Sequence, residues 1–134
     1  MVLRYTTRLP PPTLIQAQPA DEGQTQGRDL DPTKYKELLI NADRIIHNAW
    51  PVNFIISVSS FKPHIRGAHH LVDFCSKASK RVPIIFISSA STASSWSSNE
   101  LMPERQLSDL GLAQMGYGQS KLAGSLILDA AAEM

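Results

Sequence analysis

The sequence lacks the features that mark secreted, membrane-bound and nucleic-acid-binding proteins. It has one cysteine, Cys75, so it can form no internal disulfide, and a reducing compartment is the simplest interpretation. Its apolar runs are far shorter than the roughly 20 residues that a membrane-spanning helix needs. Its formal net charge of +1 provides little attraction to nucleic acid or an anionic membrane. We therefore expect a cytoplasmic protein that binds neither.

The sequence also has little that could hold a metal or a phosphate. His69 and His70 are adjacent, so on a helix their side chains would point about 100° apart, and we expect no metal site. Gly23 and Gly27 do not lie between a strand and a helix, where a phosphate-binding glycine loop must lie. Residues 1–29 are rich in proline and polar side chains, so we expect a poorly ordered N-terminal segment there.

The pattern of residues 30–134 predicts an α/β fold. A short strand at residues 44–47, continued by Asn48 and Ala49, is followed by a helix at about residues 60–77. That helix should carry one apolar stripe: Phe61, Ile65, Ala68, Val72 and Cys75. A second strand at residues 82–88 is apolar on both faces, which is typical of burial between two helix layers in a parallel sheet. We therefore predict an incomplete parallel α/β sheet built on one central βαβ unit.

Two further helices are predicted around this unit. Asp31 and Pro32 are typical of an N-cap and a first helical position, so a helix should run to about Ile40. The last helix should begin at about Tyr117 and continue nearly to the end of the chain. Its apolar residues recur every four positions and should face the sheet: Leu122, Leu126, Ala130 and Met134.

Three side chains near the second strand and the last helix suggest acid–base chemistry. Tyr117 and Lys121 are four residues apart, so a helix places them on one face, one turn apart. A nearby ammonium favours the phenolate form of a tyrosine, which can then exchange a proton with a substrate oxygen. Ser89, just beyond the strand, can hydrogen-bond the same oxygen as negative charge develops. A Tyr-x-x-x-Lys pair alone is weak evidence, because most such pairs lie on protein surfaces.

Four stretches in this order resemble one family. From about Leu30 onwards, the chain is similar to extended short-chain dehydrogenases/reductases of the male-sterility-like NAD(P)-binding group, and most closely to fungal thioester reductase domains. The stretches are Ile45-Ile46-His47-Asn48-Ala49-Trp50-Pro51-Val52-Asn53-Phe54, Phe61-Lys62-Pro63-His64-Ile65-Arg66-Gly67, Phe86-Ile87-Ser88-Ser89 and Met115-Gly116-Tyr117-Gly118-Gln119-Ser120-Lys121.

The resemblance implies an NADP-dependent oxidoreductase with a Rossmann-type domain over residues 30–134. Its substrate would be an acyl thioester on the phosphopantetheine arm of a carrier protein, reduced to an aldehyde or alcohol. Ser89 would polarise the carbonyl, Tyr117 would donate the proton, and Lys121 would tune Tyr117 and hold the nicotinamide ribose. Asn48, Ala49 and Ser88 would line the cofactor cleft, and Ser88 and Ser91 are the next candidates for the role of Ser89.

The family pattern begins with a strand, a glycine-rich turn and a helix that hold the pyrophosphate. Residues 1–29 do not resemble this pattern, so we expect a fragment that is inactive by itself. Two other readings stay open. The chain is a non-catalytic Rossmann-like interaction module or inactive relic, or it belongs to a related extended reductase that acts on a sugar or sterol. Trp50 and Phe54 either stack on a ligand or pack over the sheet.

Overall fold

The strands form one three-stranded sheet with the second predicted strand at its centre. The computed structural model describes Val2–Leu3 and residues 30–134. Strands β1 (Val2–Leu3), β2 (Ile45–His47) and β3 (Ile84–Ile87) lie in the order β1-β3-β2. β2 runs parallel to β3, with Ile45 opposite Ile84, which confirms the predicted α/β unit.

β1 was not predicted. It pairs antiparallel with β3, and Val2 lies opposite Ile87. The far edge of β3 is therefore covered rather than exposed. The remainder of the segment at residues 1–29, including the disorder predicted for it, lies outside the described residues.

Three α-helices accompany the sheet: α1 (Pro32–Asn41), α2 (Lys62–Lys77) and α3 (Gly116–Ala132). α1 begins where predicted, because the Asp31 side chain accepts a hydrogen bond from the Lys34 amide at 3.3 Å. A short 3₁₀ turn, Val58–Phe61, leads into α2. Two more 3₁₀ turns, Ala90–Ala93 and Leu110–Leu112, lie in the long connection between β3 and α3.

The predicted apolar stripe of α2 enters the core. Phe61 and Ala68 are fully buried, while Ile65 and Val72 are half-buried against the same cluster. That central cluster consists of Trp50, Phe61, Phe86, Tyr117 and Leu128. A second cluster joins α1, α2 and β2 around Ala42, Ile45, Phe74 and Val82.

The prediction for the inner face of α3 was wrong. Leu122 and Leu126 pack against the long connection, in a third cluster with Ala93, Leu107 and Ala113, whereas Ala130 and Met134 are exposed. The residues that contact the central cluster are instead Tyr117, Gly124 and Leu128. Glycine and serine on this face allow close approach to the core, which a count of large apolar residues cannot detect.

Burial of β3 is also more one-sided than predicted. Phe86 is buried, and Ile84 packs against two of the clusters. Ile84 is itself half-buried, as are Ile85 and Ile87 on the other face, but Ile85 and Ile87 belong to none of the three core clusters. Within the described residues, the strand is therefore covered more fully on the face that meets α2 and α3.

No helix among the described residues is long and apolar enough to cross a membrane.

Candidate functional site

The parallel pairing brings the candidate residues of β2 and β3 to one edge of the sheet. Parallel strands end on the same side, so Asn48 and Ala49 after β2 lie at the edge where Ser88 and Ser89 follow β3. Asn48 is exposed, and the other three are half-buried. The structure thus places the four residues at the carboxyl ends of the strands, where open α/β sheets bind ligands.

The Ser89 hydroxyl has a defined hydrogen-bond environment. Its Oγ accepts from the Ser91 amide at 3.2 Å and from the Ser91 hydroxyl at 2.9 Å. A serine oxygen has two lone pairs and one proton. With both lone pairs used, the proton of Ser89 is left to donate, whereas the proton of Ser91 is engaged. This geometry distinguishes Ser89 from Ser91 as a donor to a further oxygen.

Lys121 is a buried ammonium group. Lys121 is only 3% exposed, and its Nζ donates a hydrogen bond to the carbonyl oxygen of Ile87 at 2.6 Å. The same Nζ lies 5.0 Å from the centroid of the Trp50 ring and 4.8 Å from that of Phe86. Burial lowers the pKa of Lys121 to about 8, because an apolar environment disfavours the charged form.

Tyr117 packs among aromatic rings one turn before Lys121. Its ring centroid is 5.1 Å from that of Phe54, in an edge-on contact, and 6.1 Å from that of Phe61. Phe54 is itself 54% exposed. Phe54 therefore lies between Tyr117 and solvent, and Tyr117 is both part of the core and next to the surface.

A close contact holds α3 against the turn formed by residues 89–91, which is called the serine turn below. A Cβ added at Gly118 would lie 2.3 Å from the carbonyl oxygen of Ser91, so only glycine permits this approach. Lys121 contacts β3 three residues further along the helix. The structure therefore brings the Ser89–Ser91 turn together with the Tyr117–Lys121 segment.

Two histidines beside Lys121 were not predicted to belong to the site. His47 is buried, its Nε2 has no hydrogen-bond partner among the described residues, and its ring lies 5.5 Å from that of Phe86. Burial, together with the charges of Lys121 and His64, lowers the pKa of His47 to about 4. Burial and Lys121 also lower the pKa of His64. The only sequence signal was that both histidines lie within stretches that carry the family resemblance.

The two large grooves lie elsewhere. One, of about 540 Å³, runs along the outer edge of β2 between α1 and α2, where Tyr35, Ile45 and Phe74 line it. The other, of about 500 Å³, lies between the ends of α2 and α3, beside Val82 and Leu128. Neither groove is lined by Ser89, Tyr117 or Lys121, and each is mainly apolar. The candidate acid–base side chains therefore lie outside both grooves.

Within residues 30–134, no group of three or more His, Cys, Asp or Glu side chains could hold a metal ion.

Sequence comparison assigns the chain to a known family. The sequence model described as Male sterility protein, an NAD-binding family, matches residues 18–134. The chain belongs to this family. The match begins before residue 30 and so includes part of the N-terminal segment.

Its similar relatives include several fungal proteins. A carboxylic acid reductase of Neurospora crassa is 57% identical over 106 residues, which are 78% of this chain and 10% of that protein. The adenylate-forming reductase Nps10 of Heterobasidion annosum is 34% identical over 116 residues, 84% of this chain and 11% of that protein. A 3-methylorcinaldehyde synthase of a Phoma species is 33% identical over 104 residues, 71% of this chain and 4% of that protein. The chain thus spans about a tenth or less of the length of these relatives.

Proposed function

We propose that this chain is part of an NADP-dependent oxidoreductase that reduces an acyl thioester, carried on the phosphopantetheine arm of a carrier protein, to an aldehyde or alcohol. Membership of an NAD-binding family supports the cofactor class. The names of the relatives, carboxylic acid reductase and adenylate-forming reductase, support the reaction class. The observation that carries the proposal is the contact between the Ser89 turn and the Tyr117–Lys121 segment of α3.

Ser89 would act on the carbonyl oxygen of the thioester. Its oxygen accepts two hydrogen bonds from Ser91, so its own proton is available. A donor that is fixed in advance stabilises negative charge on the substrate oxygen as the carbonyl is reduced. Tyr117 would donate the proton that this oxygen takes up.

Lys121 would serve the cofactor and Tyr117 together. An ammonium has three protons, and among the described residues its one hydrogen bond is to the carbonyl of Ile87. In the proposed complex, one of the other protons would be donated to a ribose hydroxyl. Lys121 also lies one turn of α3 from Tyr117, where it would assist the proton transfer.

The residues present fit the nicotinamide end of the cofactor. Asn48, Ala49 and Ser88 lie at the sheet edge that would face it, and Lys121 offers donors from a buried position. When bound, the nicotinamide supplies the hydride. Within residues 30–134 each strand-to-helix connection lacks a glycine-rich turn, so the fit extends to the nicotinamide ribose and not to the pyrophosphate.

The test begins with the native protein, captured with an antibody against residues 31–60. Its intact mass fixes the full chain to be assayed. That chain is given an acyl-phosphopantetheinyl carrier protein and NADPH, and the loss of NADPH absorbance is followed together with the aldehyde product. We expect Tyr117→Phe and Ser89→Ala each to lower the rate by about 10²–10³-fold.

The matched control is Ser79→Ala, which removes an exposed hydroxyl just beyond α2, away from the candidate site. We expect a much smaller loss of rate for Ser79→Ala than for Ser89→Ala. Equal rates for Ser89→Ala and the unsubstituted protein would overturn the assignment. Absence of NADPH oxidation with any acyl carrier substrate would overturn the reaction class.

A non-catalytic interaction module is the second candidate. It is favoured by the outer edge of β2, which no other strand among the described residues covers, and by the apolar groove beside that edge, because both offer a surface for another protein. A native mass near 14.7 kDa, the mass of this chain, with no NADPH binding would favour this candidate. A much larger mass would favour the reductase.

A further inference from the structure

We propose that Trp50 is a positioning residue of the candidate site. The Trp50 ring holds the Lys121 ammonium over its face, and the hydroxyl of Ser120 fixes the orientation of that ring. This inference rests on the proposed function for its catalytic meaning, but the contacts stand independently of it. Trp50 is buried just after β2, whereas Lys121 and Ser120 lie on α3. Trp50 therefore connects the edge of the sheet to the helix that carries Tyr117.

The ammonium contact has the geometry of a cation–π interaction. The Lys121 Nζ is 5.0 Å from the ring centroid of Trp50, within the roughly 6 Å over which such interactions act, and they are stronger where water is excluded. Phe86 contributes a second ring at 4.8 Å. Indole is the better of the two partners for a cation, so the larger share of the attraction should come from Trp50.

A hydrogen-bond chain fixes the orientation of the indole. The Trp50 Nε1 donates to the Ser120 Oγ at 3.0 Å, and that hydroxyl donates to the carbonyl oxygen of Tyr117 at 2.7 Å. All three groups are buried. The indole is therefore tied to the backbone of the candidate proton donor while its face meets the ammonium.

The Trp50 indole is closely packed against α3 at Gly124. A Cβ added at Gly124 would lie 2.9 Å from Cη2 of Trp50, so the ring lies directly on the helix. His47 and His64 flank it at centroid distances of 5.8 and 5.9 Å. Both histidines have a pKa below the ordinary 6.5 and are mostly neutral at pH 7, whereas Lys121, with a pKa of about 8, is mostly charged at that pH and is the cation that the ring faces.

Fluorination of the indole tests this contact without changing the shape of the core. Trp96 is first replaced by Phe, which leaves Trp50 as the only tryptophan, since the chain has two. Trp50 is then substituted with mono-, di- and trifluorotryptophan, which progressively withdraws charge from the ring face. The pKa of Lys121 is measured by NMR in chains labelled at lysine Cε, with Lys121→Arg to identify its signal.

We expect the pKa of Lys121 to fall stepwise, by about half a pH unit or more across the series, because each fluorine weakens the attraction for the ammonium. A Trp50→Phe chain that keeps Trp96 is the matched control, and there fluorination should leave the pKa of Lys121 unchanged. In Ser120→Ala the indole loses its acceptor, and the dependence on fluorine should become weaker.

A pKa of Lys121 that is constant across the Trp50 series would overturn the proposal, as would an equal response to fluorine at Trp96. The readout does not need activity. If Lys121 follows the fluorine content while the native protein reduces no thioester, the positioning contact stands and the proposed function fails; the opposite pair of results rejects Trp50 alone.

Discussion

Substitution of Gly118 by alanine should separate the serine turn from α3. The added Cβ would lie 2.3 Å from the Ser91 carbonyl oxygen and 3.0 Å from the Ser91 carbonyl carbon. Non-bonded atoms of this kind normally stand about 3.5 Å apart. About 1 Å of separation must therefore open between two backbone segments, neither of which can move as a flexible side chain would.

The magnitude follows from two opposing effects. Overpacking of a closely packed site costs about 1–3 kcal/mol, whereas alanine is favoured over glycine inside a helix by about 1 kcal/mol. Gly67 provides the matched control, because it lies within α2 and an added Cβ there meets no atom within 4 Å. We expect Gly67→Ala to raise the free energy of unfolding and Gly118→Ala to leave it about 1–3 kcal/mol below that of Gly67→Ala.

The assay is urea unfolding at pH 7, followed by circular dichroism, on the two variants and the unsubstituted chain. The difference between the variants isolates the clash, since both gain the same helix preference. If Gly118→Ala proved as stable as Gly67→Ala, the close contact between the turn and α3 would be refuted, and with it the main support for the candidate site.

Three further predictions concern single side chains. Burial holds the pKa of His47 at about 4, below its ordinary 6.5. The free energy of unfolding should therefore fall as the pH drops from about 6.5 to 4, by up to about 1.4 kcal/mol per pH unit. A His47→Leu chain whose free energy of unfolding falls as much over this range would contradict this. Asp31→Ala should cost about 1 kcal/mol through loss of the α1 cap, with Thr33→Ala as the control, and equal unfolding midpoints for the two would reject the cap. Burial raises the pKa of Cys75 to about 11, so its alkylation at pH 8 should be about a hundredfold slower in the folded than in the unfolded chain; equal rates would show the thiol to be accessible.

The sequence was sufficient to predict the elements whose patterns are local. The N-cap at Asp31 and the stripe of α2 depend on residues close together in the chain, and both are found. The parallel pairing of β2 with β3 follows from a single strand–helix–strand unit, and it is also found. The approach of the Ser89 turn to the Tyr117–Lys121 helix followed from the same topology. Parallel strands end at one edge, and the next helix must start there.

Features that depend on distant partners were not predictable. β1 is too short to have a pattern, and it exists because β3 offers a free edge. The inner face of α3 was misassigned because its contacts use Gly124 and Ser120 against Trp50, where small side chains and a hydrogen bond replace large apolar groups. The burial of His47 was also hidden, because a histidine in a strand looks polar until its neighbours are known.

The unequal separation of the paired strands sets an order for folding. Ile45 meets Ile84 after one intervening helix, whereas Val2 meets Ile87 only when nearly the whole length of chain before β3 has been brought back. The entropy lost in closing a loop rises with its length, and contacts between distant residues form late. We therefore expect the β2–α2–β3 unit to assemble first and β1 to dock last. β3 would then pass through an intermediate with one bare edge, and this is the stage at which two molecules could pair by mistake.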